Sequence, residues 1–277
     1  MDAEKLMTAQ DDVFHIAMQI LTSSDHVLGV VAIGSYARDE QDVFSDIDLL
    51  CFLRDENRVG WKDLYDQIRA LYPILWHGWL YDQNALFLFD NGARLDVDFC
   101  RPSDIRKINE IPSEKKLLFD PHDVLHEIVL VDKGTKKADH PAWFEIGDPS
   151  FVHWFFWMFR QVVCWAKRSQ QGSQSSYDKL ANAIDSLTQI RTRLIEMRLW
   201  TLEEWNYLKV ADAKFAVQLE KTFPHFDPQE VIECAHGLLA AYEYACPLYC
   251  EKAGSVYPAE KVSMLKALLV AFEQIEQ

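Results

Sequence analysis

The chain has 277 residues, 49% of them hydrophobic, and a formal net charge of −15 at pH 7. That length and apolar content suffice for one large or two smaller packed domains, and no charge-free apolar run reaches the roughly 20 residues a membrane span needs. The acidic excess is concentrated before residue 146 and no basic track offsets it, which excludes a template-reading or RNA-tailing role and favours a small, cationic acceptor over nucleic acid.

Residues 3–22 carry Leu6, Val13, Ile16, Ala17, Ile20 and Leu21 at mostly helical spacing, which predicts an amphipathic helix laid against a sheet. Its polar, acidic start shows no signal-peptide pattern, so a soluble, cytoplasmic protein is expected. Val27 to Ile33 reads as the first strand and ends on Gly34-Ser35, a turn that leads into a short helix near Tyr36. Asp46 to Leu53 reads as the second. Alternation along a strand sends Asp46 and Asp48 to one face while Ile47 and Leu49 enter the core. The result is a paired carboxylate site.

Two carboxylates this close raise each other's pKa unless a cation neutralises them. Magnesium is the natural cation, since it prefers one or two carboxylates plus phosphate oxygens to a cage made of protein alone. Replacing Asp46 by Asn is on this view expected to leave stability unchanged or raised. Gly34 at a strand end lets backbone N–H groups approach phosphate, and the Ser35 hydroxyl adds a donor. Metal-bound triphosphate is the ligand these residues suit.

Trp61 to Leu71 is predicted as a helix stopped by Pro73, and Ile74 to Tyr81, Ala85 to Phe89 and Arg94 to Cys100 as strands. The last two are joined across Asp90-Asn91-Gly92, a tight-turn signal because Asn and Gly both tolerate positive φ. Asp96 and Asp98 share a face of the third of these strands. Periodicity alone does not choose between them as the third carboxylate.

Taken together, Gly34-Ser35-Tyr36-Ala37-Arg38, Phe44-Ser45-Asp46-Ile47-Asp48, Phe89-Asp90-Asn91-Gly92-Ala93-Arg94-Leu95-Asp96 and Ser103-Asp104-Ile105 resemble the DNA polymerase beta-like nucleotidyltransferase superfamily. Within it they look most like the antibiotic-modifying branch, above all the two-domain lincosamide nucleotidyltransferases. The resemblance implies an α/β (α+β) fold: a mixed-sheet nucleotidyltransferase domain over 1–145, then an all-α helical bundle over 146–277 that binds the acceptor. It implies Mg²⁺ held by Asp46, Asp48 and Asp96, and nucleotide contacts from Gly34, Ser35, Arg38 and Ser45. Asp96, placed by its Arg-x-acid pattern, is then the base for an acceptor hydroxyl, with Asp98 as second choice. The donor is a nucleoside triphosphate, with ATP expected, and the acceptor a lincosamide. An aminoglycoside, a protein-modifying or regulatory transferase, and an inactive nucleotide-binding module are the alternatives. Arg38 has a second reading, as a solvated arginine paired with Asp39 or Asp42.

Ile128 to Val131 suggests an edge strand, and residues 132–141 an exposed loop whose three lysines are read as solvated. From Pro149 on, the pattern is helical only. Phe151 to Trp165 is apolar nearly all round, interrupted by His153, a core histidine or a ligand contact, and by Arg160. Leu180 to Met197 predicts a second helix, and Thr201-Leu202-Glu203-Glu204 a capping box that opens a third, closed by Pro224. Asp227-Pro228 starts a fourth and Pro258 the last. Trp154, Trp157, Trp165, Trp200 and Trp205 are candidates for an acceptor pocket or for plain core. The six cysteines lack a CxxC pair and are expected as buried thiols.

Overall fold

The structure is a computed structural model that describes residues 3–79, 83–104, 114–125, 147–148, 151–170, 176–202, 213–220 and 222–275. The chain divides into two compact units, Met1–Trp143 and Phe144–Gln277.

The first unit is built on a six-stranded mixed sheet of order β3-β4-β5-β2-β1-β6. In chain order its elements are α1 (Ala3–Thr22), β1 (Val27–Ile33), α2 (Ser35–Arg38), β2 (Ile47–Leu53), α3 (Trp61–Arg69), β3 (Ile74–Trp79), β4 (Asn84–Phe89), β5 (Arg94–Cys100), a 3-10 turn at Pro102–Asp104, and β6 (Lys115–Phe119). Alternation sorts the strand residues by face. Val30, Ala32, Ile47, Leu49, Cys51, Leu95, Val97 and Phe99 form one core with Val13, Ala17 and Leu21 of α1 and Leu64 and Ile68 of α3. Leu50, Phe52, Cys100 and Val31 face the other way and pack with Leu125. Asp48 and Asp96 belong to this second face, near the N-terminal ends of their strands.

β2 and β5 pair in parallel while the other pairings are antiparallel. The β4–β5 hairpin closes as expected, with Gly92 at φ 90° and the Phe89 N–H donating to Ala93 O at 3.0 Å. Two expectations at the ends of elements change. β2 begins at Ile47, so Asp46 belongs to the turn before it. The sixth strand, Lys-Lys-Leu-Leu-Phe, was not expected at all; it pairs with β1 through Ile33 opposite Lys115 and Val31 opposite Leu117. The strand expected at Ile128 to Val131 and the loop at 132–141 lie outside the described residues.

The described residues of the second unit are helical: α4 (Phe151–Ser169), α5 (Ser176–Leu202), α6 (Ala213–Glu220), α7 (Pro228–Ala253) and α8 (Ala259–Glu273). α4 is buried on nearly every side and packs against α5, α7 and α8. Asp227 caps α7 by accepting the Glu230 N–H at 2.9 Å, with Pro228 at the first helical position. Thr201 and Leu202 are the end of α5, not the start of a new helix, and the Thr201 hydroxyl donates back to Met197 O at 2.7 Å. The rest of the expected capping box lies outside the described residues. No described helix is long and apolar enough to cross a membrane.

Candidate active site

The site begins with the turn that delivers Asp46. Ser45 is fully buried, and its hydroxyl donates to Asp42 Oδ1 at 2.9 Å while accepting the Asp42 N–H at 2.9 Å. The Phe44 N–H also donates to Asp42 Oδ1, and Gln10 of α1 donates to Ser45 O. These bonds fix the chain direction into β2. Ser45, assigned to nucleotide contact by resemblance, is thus engaged in shaping the turn that carries the first aspartate.

Asp48 follows on β2 and lies directly opposite Asp96 on β5. Neighbouring strands run about 4.8 Å apart and opposed residues share a face, so the two carboxylates stand side by side. Gly34 closes in from the end of β1 at φ 69°, ψ −139°, and a Cβ on it would lie 3.1 Å from Asp48 Oδ2. The backbone conformation favours glycine there, and a side chain would also press on the Asp48 carboxylate. Ser35 follows, buried at the start of α2.

One cation sits among these acids. Arg94 is 5% exposed; its Nη1 donates to Asp46 Oδ2 at 2.9 Å, its Nε to Asp96 Oδ1 at 3.0 Å, and its Nη2 to Asp96 Oδ2. Burial disfavours the charged guanidinium, but Asp46 and Asp96 outweigh it and hold the arginine above its ordinary pKa. Asp48 fares differently. Burial, and then the Asp96 and Asp46 charges, push its carboxyl well above the usual range. Asp98, two residues beyond Asp96, is pushed up to about 6 by burial, with the Asn84 hydrogen bond opposing and Asp96 adding to the shift. Tyr36 is raised by burial and by Asp11 and Asp46.

Asp46, Asp48, Asp96, Gly34 and Ser35 therefore gather at one end of the sheet. Arg38 ends α2 and turns to Glu40, with Nε 2.7 Å from Oε2, and stands 3.8 Å from Glu114; neither Asp39 nor Asp42 is its ion-pair partner. Asp39 instead pairs with Lys116. Arg94 is the residue that the sequence reading passed over, although alternation puts it on the face of Asp96 and Asp98. Beyond β5, Asp104 closes the next turn by accepting from Arg101 N and Nε at 3.0 Å each.

Only oxygen donors converge here, and they are hard and anionic, which suits Mg²⁺ in kind. Among the described residues no three acidic, histidine or cysteine side chains are gathered so as to hold an ion in common. Both Asp96 oxygens and one of Asp46 accept from the Arg94 guanidinium.

A family model described as a nucleotidyltransferase domain matches residues 17–119. This stretch holds the Gly34 turn and all three aspartates. The first unit is a nucleotidyltransferase domain. As an enzyme the chain is accordingly a nucleotidyltransferase. No curated protein matches it. The solved structure of an aminoglycoside 6-adenyltransferase from Bacillus subtilis aligns over 96% of this chain and 97% of its own, at 14% identity and a TM-score of 0.36. So loose an overlay leaves the acceptor to be argued from this chain's own residues.

In the second unit, Trp154 and Trp157 are buried at 2% and 9%, which makes them core residues; Trp200 packs its ring 4.9 Å from that of Tyr249, and Trp205 lies outside the described residues. His153 is half-buried with its ring 5.9 Å from Phe156, and Arg160 is fully buried 5.6 Å from the Phe272 ring.

Proposed function

We propose that this nucleotidyltransferase moves a nucleoside monophosphate from a nucleoside triphosphate, with ATP the expected donor, to a hydroxyl of a small antibiotic. The observation that carries the reading is the pairing of Asp48 with Asp96 on neighbouring parallel strands, with Asp46 at the head of one and the Gly34 backbone against the Asp48 carboxylate. Asp46 and Asp48 would hold Mg²⁺ with Asp96, and the metal would supply charge neutralisation for the phosphates when bound. Gly34 and Ser35 offer room and donors beside that position. On this reading Asp96 would accept the proton of the attacking hydroxyl or help a second metal do so, and most of the rate gain would come from positioning and electrostatics.

A lincosamide is the first acceptor on the resemblance of the motif set around Asp46 and Asp96. An aminoglycoside is the second reading, favoured by the net charge of −15, which attracts a polycation. The 146–277 half is proposed to bind the acceptor. Mass spectrometry of lincosamides, aminoglycosides and whole-cell protein incubated with the enzyme, ATP and Mg²⁺ tests the reading. A nucleoside-monophosphate adduct on a lincosamide is expected. An adduct confined to an aminoglycoside moves the assignment to the second reading, while an adduct on protein alone, or none, removes the antibiotic.

A further inference from the structure

The helical unit buries an arginine that has no acid beside it. Arg191, on α5, is 7% exposed. Its Nε donates to Thr222 Oγ1 at 3.0 Å and its Nη2 to Thr222 O, which ties α5 to the connection between α6 and α7. Thr222 is itself fully buried, and its hydroxyl donates on to Leu219 O at 2.7 Å, so the guanidinium is held in one place. Nη1 has no acceptor among the described residues, and no carboxylate among them pairs with this guanidinium. Burial holds the arginine below its ordinary pKa, with the Cys234 thiol opposing the shift. A buried charge without a counter-charge is costly, and a protein gains little from keeping one unless something else supplies the anion.

Aromatic rings surround this charge and remain in water. The Phe223 ring centre lies 3.9 Å from the Arg191 guanidinium carbon, yet the residue is 66% exposed. The cation–π contact offsets only part of the cost of burial. Three residues further on, Phe226 stacks with Tyr177 of α5, ring centres 5.9 Å apart and planes 18° from parallel. No other phenylalanine, tyrosine or tryptophan among the described residues is exposed. Apolar rings gathered in water beside a fixed cation mark a recognition surface. We propose that Arg191, Phe223, Phe226 and Tyr177 form a binding site for a small aromatic carboxylate, whose carboxylate accepts from Arg191 Nη1 while its ring packs on the exposed phenylalanines. A carboxylate suits the site better than a phosphate, because one open guanidinium nitrogen balances one charge. A dianion would bring surplus negative charge next to Asp227 and Glu230, in a chain already at −15. This site lies within the helical unit and does not depend on the nucleotidyl-transfer reading.

The test is saturation-transfer NMR on the full chain, titrated with phenylacetate, with its neutral amide phenylacetamide, and with acetate, which lacks the ring. Wild type should bind phenylacetate about tenfold tighter than either of the other two, the scale of one charge-assisted hydrogen bond or of one ring packed on an exposed apolar surface. Arg191→Gln should erase the preference for the acid over the amide. Phe223→Ala, at an exposed position whose truncation leaves the helical core untouched, should weaken phenylacetate about tenfold. Wild type that binds no phenylacetate, or binds phenylacetamide equally well, overturns the inference. A preference for the acid that survives in a folded Arg191→Gln overturns it too, as does phenylacetate binding unchanged by Phe223→Ala. If Arg191→Gln does not fold, as judged by circular dichroism, the wild-type comparison and Phe223→Ala decide.

Discussion

Asp46 and Asp48 are separated by one residue and experience opposite surroundings. Asp46 is bonded to Arg94 at 2.9 Å, whereas burial and the neighbouring acids raise the Asp48 pKa. The expectation that Asp46→Asn leaves stability unchanged or raised is therefore reversed. The substitution leaves a buried guanidinium short of one charged partner, and should lower the unfolding free energy by about 1–3 kcal/mol in urea titrations while abolishing turnover. Asp98 gives the opposite sign. Its pKa stands at about 6 in the folded chain against an ordinary value near 3.8. Folding thus takes up a proton, and the stabilisation is full below about pH 4 and lost as pH rises through 6. Asp98→Asn removes that loss. The variant should be more stable than wild type by up to about 3 kcal/mol at pH 8, with the gain gone at pH 4, as read by denaturant melts at both values. The shared face of Asp48, Asp96 and Asp98 was legible because strand alternation places such acids together without knowledge of the fold, whereas Asp46 reaches them from the turn before β2. Arg94 obeys the same alternation, yet which acids it reaches depends on the register of β2 against β5, and no local pattern encodes a register between distant strands.

Among elements, β1, β2 and β5 announced themselves through apolar alternation bounded by Gly34, by the Asp42–Ser45 turn and by Asn91-Gly92. β6 did not. Five residues are too few to display a period, and two of them are lysines: Lys115 is 4% exposed while Lys116 reaches Asp39 at 2.6 Å. The false helix start at Thr201 has a comparable cause. A threonine followed by glutamate is a cap only if the chain before it has left helical geometry, and α5 runs through to Leu202. The cap at Asp227 is real because Pro228 prevents the helix from extending upstream. Asp227→Ala should cost about 1 kcal/mol of stability through the lost Glu230 N–H acceptor, measurable as a drop in the thermal midpoint.

At the scale of the molecule, each unit has a core of its own, and the acids outnumber the bases enough to set a field around the whole chain. That field acts on the acceptor. Long-range attraction to a polycation is screened once the Debye length falls from about 10 Å at 0.1 M salt to about 3 Å at 1 M. If an aminoglycoside is the acceptor, its KM should rise severalfold over that range; for a lincosamide, with at most one positive charge, it should change little. Steady-state kinetics at a series of salt concentrations separates the two. The division into a sheet half and a helical half was legible from the change of period near Pro149. The placement of residues 126–146, where the loop and boundary were expected, falls outside the described residues.

The parallel joining of β2 to β5 carries a consequence for how the protein comes into being. Hairpins can form early from nearby residues, but this pairing unites Ile47 with Leu95 and Asp48 with Asp96 across a long excursion of chain, and such closures are slow. Until it forms, Asp96 stays apart from Asp46 and Asp48 along the growing polypeptide. Catalytic competence would then be absent from every partly folded species, and an unfinished chain in the cell could not squander nucleotide.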